Sequence, residues 1–218
     1  MFLNIMRVCG IDEAGRGPVI GPLVIAGVVA DGKAKQKLIE IGVKDSKKIA
    51  PKKREQMFNT IKSIVNDYYV LIVKPDEIDE ALNSQTLNLN WLEAIKSAMI
   101  VNKLKPEKVI LDAPSNNIKA YTDYFRIYLK NKDIDIVCEH KADETYPEVS
   151  AASILAKVTR DNEIEKLKQK YGDFGSGYPS DPKTKEFLRH NWKKCKEIFR
   201  TTWSSYKNAA GFKLTDFK

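Results

Sequence analysis

Two spacings of apolar residues alternate along the chain, one of period two or unbroken and one of period near 3.6, and together they predict an α/β order. Val8 to Ile11 is a short apolar run. Val19 to Val29 is a longer one, rich in Val and Ile and interrupted by Gly21, Pro22 and Gly27; both predict strands, joined through Asp12 to Pro18. Behind Pro51, which suits a first helical turn, Met57, Phe58, Ile61, Ile64 and Val65 share one helical face. Tyr68 to Val73 returns as a strand. Leu87, Trp91, Leu92, Ile95, Ala98 and Met99 mark a second helix, which feeds the strand Lys108 to Leu111 and its terminal Asp112. Asn117 to Leu129 predicts another helix and Asp133 to Cys138 a fifth strand. Strands that come first as neighbours and later through helices imply a mixed sheet, with antiparallel hairpins followed by parallel crossovers.

The last part of the chain has a different texture. A helix from about Val149 to Lys170 opens on the small residues Ala151, Ala152 and Ser153, which suit close approach to a sheet, and continues with a core stripe of Ile154, Leu155, Val158, Ile164 and Leu167. A Gly-rich turn spans Gly172 to Pro182, and a basic helix is expected from Lys183 to Arg200. No repeat, low-complexity stretch or long linker interrupts the chain. The expected parse is a core over 1–170 and a helical extension over 171–218 packed on it.

Composition narrows the class. At 218 residues and 43% hydrophobic content the chain can bury a sizeable core by itself. It holds no run of eighteen apolar residues, and Met1 to Arg7 lacks the features of a signal peptide, so a cytoplasmic protein is expected, and a monomer. Three widely spaced cysteines, Cys9, Cys138 and Cys195, argue against a disulfide framework or a zinc knuckle; Cys9 and Cys138 lie in apolar runs and are expected in the core. The net charge of +8 favours a polyanionic partner, with basic patches at Lys44 to Arg54 and Lys183 to Arg200 facing phosphates or merely solvent.

Acids at strand ends carry the chemistry. Asp12 and Glu13 leave the first strand and enter the glycine-bracketed loop Gly15-Arg16-Gly17-Pro18. A dinucleotide fingerprint does not fit, because Ile20 stands where a third glycine is needed and the following segment is β-rich. Asp112 would lie beside the end of the first strand if the two pair in parallel, although a strand-end cap is an equal reading for it alone. Carboxylates converging there need a cation between them, and oxygen-only ligation suits Mg²⁺ or Mn²⁺, in pairs about 3.5–4 Å apart where phosphodiesters are cut. After the fifth strand Glu139, Asp143 and Glu144 are all candidates by spacing. His140 and His190 are the only histidines and have no triad motif around them.

GIDEAGRGPVIGPLV from Gly10, DSKK at Asp45 to Lys48, LDA around Asp112, HKADETYP at His140 to Pro147, AASILAKVTRD at Ala151 to Asp161 and GSGYPSDP at Gly175 to Pro182 form a series in order. That series resembles the ribonuclease HII family, the type 2 ribonucleases H, in its archaeal form, over roughly Val8 to Trp203. The resemblance implies a ribonuclease H-like five-stranded mixed sheet flanked by helices, with a helical C-terminal subdomain acting as a substrate-binding wall. It implies metal ligation and catalysis by Asp12, Glu13, Asp112 and Asp143. It further implies that Gly15, Arg16 and Gly17 read a 2′-hydroxyl, that Ser46, Lys47 and Lys48 contact phosphate, and that Tyr178 packs on the next sugar. The expected reaction is metal-dependent hydrolysis, 5′ to the ribonucleotide, of RNA–DNA hybrids and of single ribonucleotides in duplex DNA, leaving 3′-hydroxyl and 5′-phosphate ends. A silent nucleic-acid-binding module and an integrase-like transferase are the rival readings; the full acidic set weighs against the first and the two loop motifs against the second. In the tail, Leu214 and Phe217 have the spacing of a sliding-clamp-binding turn, with Gly211 in place of the usual glutamine and Lys218 in place of a second aromatic.

Overall fold

The computed structural model describes residues 6–43 and 50–211. Its strands are β1 (Val8–Ala14), β2 (Leu23–Ala30), β3 (Asp67–Val73), β4 (Lys108–Asp112) and β5 (Asp135–Glu139), in the sheet order β3-β2-β1-β4-β5. β1 runs antiparallel to β2 and parallel to β4, and β4 parallel to β5. This is the expected mixed five-stranded sheet. Its helices are α1 (Gly32–Glu40), α2 (Pro51–Ile64), α3 (Pro75–Asn83), α4 (Leu89–Leu104), α5 (Ile118–Ile127), α6 (Ala142–Thr145), α7 (Pro147–Tyr171), α8 (Pro182–Asn191) and α9 (Ser204–Ala209).

The chain divides into two compact units. The first comprises Met1–Ala14, Val24–Leu71 and Asn90–Thr159, and the second Gly15–Leu23, Ile72–Leu89 and Arg160–Lys218. In the first, every residue of β2 is buried, because both faces of the sheet are covered; a strand covered on both sides reads as an unbroken apolar run. One face packs Val24, Ala26 and Val28 against Leu38 of α1, Ile61 of α2 and, on α7, the small residues Ala151 and Ala152 with Leu155. The closest approach of α7 to the sheet falls one turn before those small residues: a methyl group on Gly10 would lie 2.3 Å from backbone atoms of Glu148 and Val149. On the other face, a methyl on Gly27 would meet Ile100 and Leu104 of α4 and Ile11 of β1.

In the second unit Val19, Ile20, Ile164, Phe174, Leu188, Ile198, Phe199 and Tyr206 form a separate aromatic-rich core. The Gly177 carbonyl accepts from the backbone N–H groups of Val19 (2.9 Å) and Ile20 (3.3 Å), and Gly21 donates to Ile198 (2.9 Å). Asp79 of α3, buried, accepts four hydrogen bonds from the backbone and hydroxyl groups of Thr201 and Thr202.

Several boundaries differ from expectation. β1 continues through Ala14, so Asp12 and Glu13 lie within the strand and not in the loop after it. β2 starts at Leu23; Val19 and Ile20 are buried as core of the second unit, with a single antiparallel bridge from Ile20 to Phe199. The basic helix stops at Asn191, after which a turn and a short 3-10 helix (Lys196–Ile198) lead to Arg200, which is fully buried instead of facing solvent. α1 and α3 were not predicted by the pattern. Cys9 is buried as expected but Cys138 only half-buried, and all three thiols are free.

Candidate functional site

The first unit positions the acids through strand register. Pairing of β1 with β4 runs from Val8 opposite Lys108 to Ile11 opposite Leu111, and the next residues on the two strands are Asp12 and Asp112. The parallel neighbourhood expected for these two acids is therefore present. Asp12 is 6% exposed; its Oδ1 accepts from the Glu13 backbone N–H at 2.7 Å, and the Ser153 side chain hydrogen-bonds to it. Burial, and then the charges of Glu13 and Asp112, hold its carboxyl well above the usual carboxylate range. The pleat sends neighbouring side chains to opposite faces. Asp12 goes with Gly10 toward α7, where Ser153 meets it, and Glu13 goes with Ile11 toward the α4 and α5 side, where its charge adds to burial and to Glu93 in raising the Tyr121 phenol.

The third acid comes from the turn after β5. Lys141 adopts a left-handed conformation (φ 59°) that swings the chain into α6. The Ala142 backbone N–H then donates to Asp112 Oδ1 at 3.1 Å, which ties this turn to the end of β4. Of the three acids that spacing left open, Asp143 is 1% exposed and its Oδ1 has no hydrogen-bond partner, while Glu144 is exposed and ion-paired with Lys141 at 3.6 Å and Glu139 is half-buried at the end of β5.

Among the described residues, no three His, Cys, Asp or Glu side chains are drawn together closely enough to hold a metal ion as they stand. The donor set nevertheless fits a hard divalent cation: buried carboxylate oxygens, one lacking a donor, beside like charges that raise the proton affinity of Asp12. Histidine contributes nothing comparable, since His140 is exposed with Nδ1 3.2 Å from the Ala113 carbonyl oxygen and His190 is exposed at the end of α8.

The second unit holds the glycine loop and Tyr178. Gly15 has φ +87°, a conformation that favours glycine. The buried Arg200 donates from Nη2 to the Gly15 carbonyl (2.6 Å), from Nη1 to that of Arg16 (2.9 Å) and from Nε to that of Gly21 (3.0 Å), and Trp203 Nε1 donates to Gly17 (3.2 Å). The carbonyls of the loop are thus held from within. Tyr178 is 40% exposed, and a methyl on Gly17 would lie 3.3 Å from its ring. Ser153, Arg160 and Arg200 are the residues here that sequence reasoning did not single out for these contacts; Ser153 was accounted for by packing and Arg200 by surface charge. Ser46, Lys47 and Lys48, and the tail from 212 onward, lie outside the described residues.

Residues 9–206 match the family model for ribonuclease HII. A ribonuclease HII of Pyrococcus horikoshii is 51% identical over 205 residues, covering 92% of this chain and 91% of the relative. The crystal structure of the ribonuclease H2 from Pyrococcus horikoshii superposes with a TM-score of 0.86 at 49% identity, over 94% of this chain and 98% of that one. The ribonuclease HII of Archaeoglobus fulgidus, solved in complex with PCNA, superposes with a TM-score of 0.82 at 41% identity, over 91% and 96% of the two chains.

Proposed function

Because the chain belongs to the ribonuclease HII family, and is a metal-dependent endoribonuclease acting on RNA–DNA hybrids and on ribonucleotides, we propose that Asp12, Glu13, Asp112 and Asp143 are its metal-binding and catalytic acids. The observation that carries this reading is the adjacency of Asp12 and Asp112 just past the last paired residues of parallel β1 and β4, with burial and like charge raising the proton affinity of the Asp12 carboxylate. When bound, a pair of ions of the Mg²⁺ or Mn²⁺ kind supplies a water of lowered pKa and neutralises charge on the departing 3′-oxygen. The chain's own contribution is to hold the oxygens ready. Ser153 holds one carboxylate and the Ala142 N–H another, which limits how far these two oxygens must move when an ion binds.

Substrate choice falls to the second unit. Gly15, Arg16 and Gly17 present a loop whose carbonyls are occupied by Arg200 and Trp203, which leaves the glycine backbone free of side chains for close approach to a 2′-hydroxyl. Tyr178 packs on the sugar of the following nucleotide, and cleavage falls 5′ to the ribonucleotide, leaving 3′-hydroxyl and 5′-phosphate ends. Ser46, Lys47 and Lys48 contact the phosphate backbone, and the helical extension over 171–218 supplies a wall for the duplex. This activity suits ribonucleotide excision and primer removal in the cytoplasm by a monomer. No helix among the described residues is long and apolar enough to cross a membrane. The Archaeoglobus relative assembles with PCNA, and the Leu214 and Phe217 spacing of the tail makes a sliding clamp a partner to test here as well.

The test uses a labelled DNA duplex with one internal ribonucleotide, with and without Mg²⁺ or Mn²⁺, against wild type, Asp12→Asn and Asp112→Asn. Wild type should cut only with metal and should melt higher in its presence: saturation at about 100 Kd contributes about 2.7 kcal/mol, which for a chain this size is about 5–11 °C. Both variants should lose turnover and this metal-dependent rise together. Metal-dependent cleavage retained by either variant defeats the assignment.

A further inference from the structure

The second unit buries a second arginine. Arg160, at the point where α7 enters that unit, is 2% exposed, and its Nε and Nη2 have no hydrogen-bond partner among the described residues. A guanidinium deprived of water without such partners is costly, and the cost calls for a compensating role. Its neighbours suggest one. The guanidinium carbon lies 5.7 Å from the centre of the Tyr178 ring, within cation–π range. A methyl on Gly15 would lie 2.2 Å from Nε and 2.3 Å from Cδ, so the glycine backbone rests directly on the arginine stem. A methyl on Gly177 would lie 3.8 Å from Nη2, and the Gly177 carbonyl is the acceptor that ties down Val19 and Ile20. One side chain therefore lies against the start of the Gly15–Gly17 loop, within cation–π range of the Tyr178 ring and close to the residue just before that tyrosine.

We propose that Arg160 is a positioning residue for substrate discrimination: its buried guanidinium fixes the Tyr178 ring relative to the Gly15–Gly17 loop, so that the sugar read by the tyrosine and the 2′-hydroxyl read by the loop are measured at a set separation. The proposal rests on the reading of Tyr178 as a sugar-packing residue. Arg160 itself touches no substrate. It acts because an aromatic ring with 40% exposure can otherwise turn about its side-chain bonds, and a cation beneath one face favours the orientation that keeps that face covered. The same stem forbids a side chain at Gly15, so the loop and the tyrosine share a single support.

The measurement is the ratio of kcat/KM on a duplex with one embedded ribonucleotide to kcat/KM on a uniform RNA–DNA hybrid. It is made for wild type, Tyr178→Ala, Arg160→Gln, Arg160→Lys and the double variant Tyr178→Ala with Arg160→Gln, with melting temperature recorded for each. Loss of one stacking contact predicts that Tyr178→Ala lowers the ratio about tenfold. Arg160→Gln should lower it as far, the double variant no further, and Arg160→Lys, which keeps the cation, should recover part of the loss. Should Arg160→Gln fail to fold, Arg160→Lys decides: a ratio below wild type supports the proposal and an unchanged one overturns it. A ratio changed by Tyr178→Ala but untouched by both Arg160 variants, even with a lowered melting temperature, overturns the proposal alone. A ratio untouched by Tyr178→Ala removes the reading of the tyrosine and the proposal with it.

Discussion

Gly10→Ala tests whether the sheet and α7 are as tightly apposed as the acidic site requires. Gly10 is buried in the middle of β1, paired with Val28 on one side and Ile110 on the other, and sits on the face that carries Asp12. A methyl added there would lie 2.3 Å from the Glu148 carbonyl carbon and the Val149 nitrogen and 2.6 Å from the Glu148 oxygen. These are backbone atoms of the first turn of α7 and cannot rotate aside as a side chain can. Ordinary carbon contacts begin at about 3.5 Å, so strand and helix must part by about 1 Å, and a gap of that size forfeits a quarter to a half of the dispersion energy across it. Overpacking a core costs about 1–3 kcal/mol where side chains can yield; against backbone we expect the upper end, about 3 kcal/mol, or a melting temperature lower by about 6–12 °C. Two other glycines calibrate the scale. A methyl on Gly27 meets only the side-chain ends of Ile100 (2.4 Å), Ile11 (2.9 Å) and Leu104 (3.1 Å), which predicts about 1–2 kcal/mol, and one on Gly32 meets nothing within 4 Å, which predicts no loss. Urea unfolding of the three alanine variants gives the order directly. Because α7 also carries Ser153, Gly10→Ala should lose activity at temperatures where it is fully folded. A Gly10→Ala protein as stable as Gly27→Ala would refute the backbone argument.

The sequence revealed the sheet more readily than the site, for physical reasons that differ by residue. β4 and β5 are short apolar runs reached through helices, and such connections force parallel pairing, so the neighbourhood of Asp12 and Asp112 followed from topology. Val19 and Ile20 misled because burial and strand formation are separate properties; their backbone groups bond to Gly177 and Arg200 in the second unit instead of extending β2. α1 escaped notice because it buries only Ala34 and Leu38 and depends on the Asp31 cap, whose carboxylate accepts from the Ala34 N–H at 2.8 Å. Asp143 could not be chosen over Glu139 and Glu144 by spacing, since what separates them is the turn at Lys141 that buries one and exposes another. Arg200 was invisible for a stronger reason. Its partners lie about 180 residues earlier in the chain, and a run of lysines around it has the same local pattern whether its last arginine is buried or solvated.

Two further predictions follow from these contrasts. Asp143→Asn should depress turnover at saturating metal far more than Glu144→Gln or Glu139→Gln, because of the three only Asp143 is fully buried; a dead Glu144→Gln enzyme would reassign the ligand. Arg200→Lys should destabilise the protein even though it conserves charge. The guanidinium serves three separate carbonyls, of Gly15, Arg16 and Gly21, through three different nitrogens, and a single compact ammonium cannot span all three. Each buried carbonyl left without a donor costs about 1–3 kcal/mol, so two of them predict about 2–6 kcal/mol, or roughly 4–24 °C in melting temperature. Arg189→Lys on the exposed face of α8 provides the control and should change stability by less than about 0.5 kcal/mol. The functional signature is separate from the thermal one: with the loop carbonyls released, KM for a duplex carrying one ribonucleotide should rise at temperatures where the variant is fully folded. Equal melting temperatures for Arg200→Lys and Arg189→Lys would mean that the three hydrogen bonds hold nothing that the rest of the second unit does not already hold.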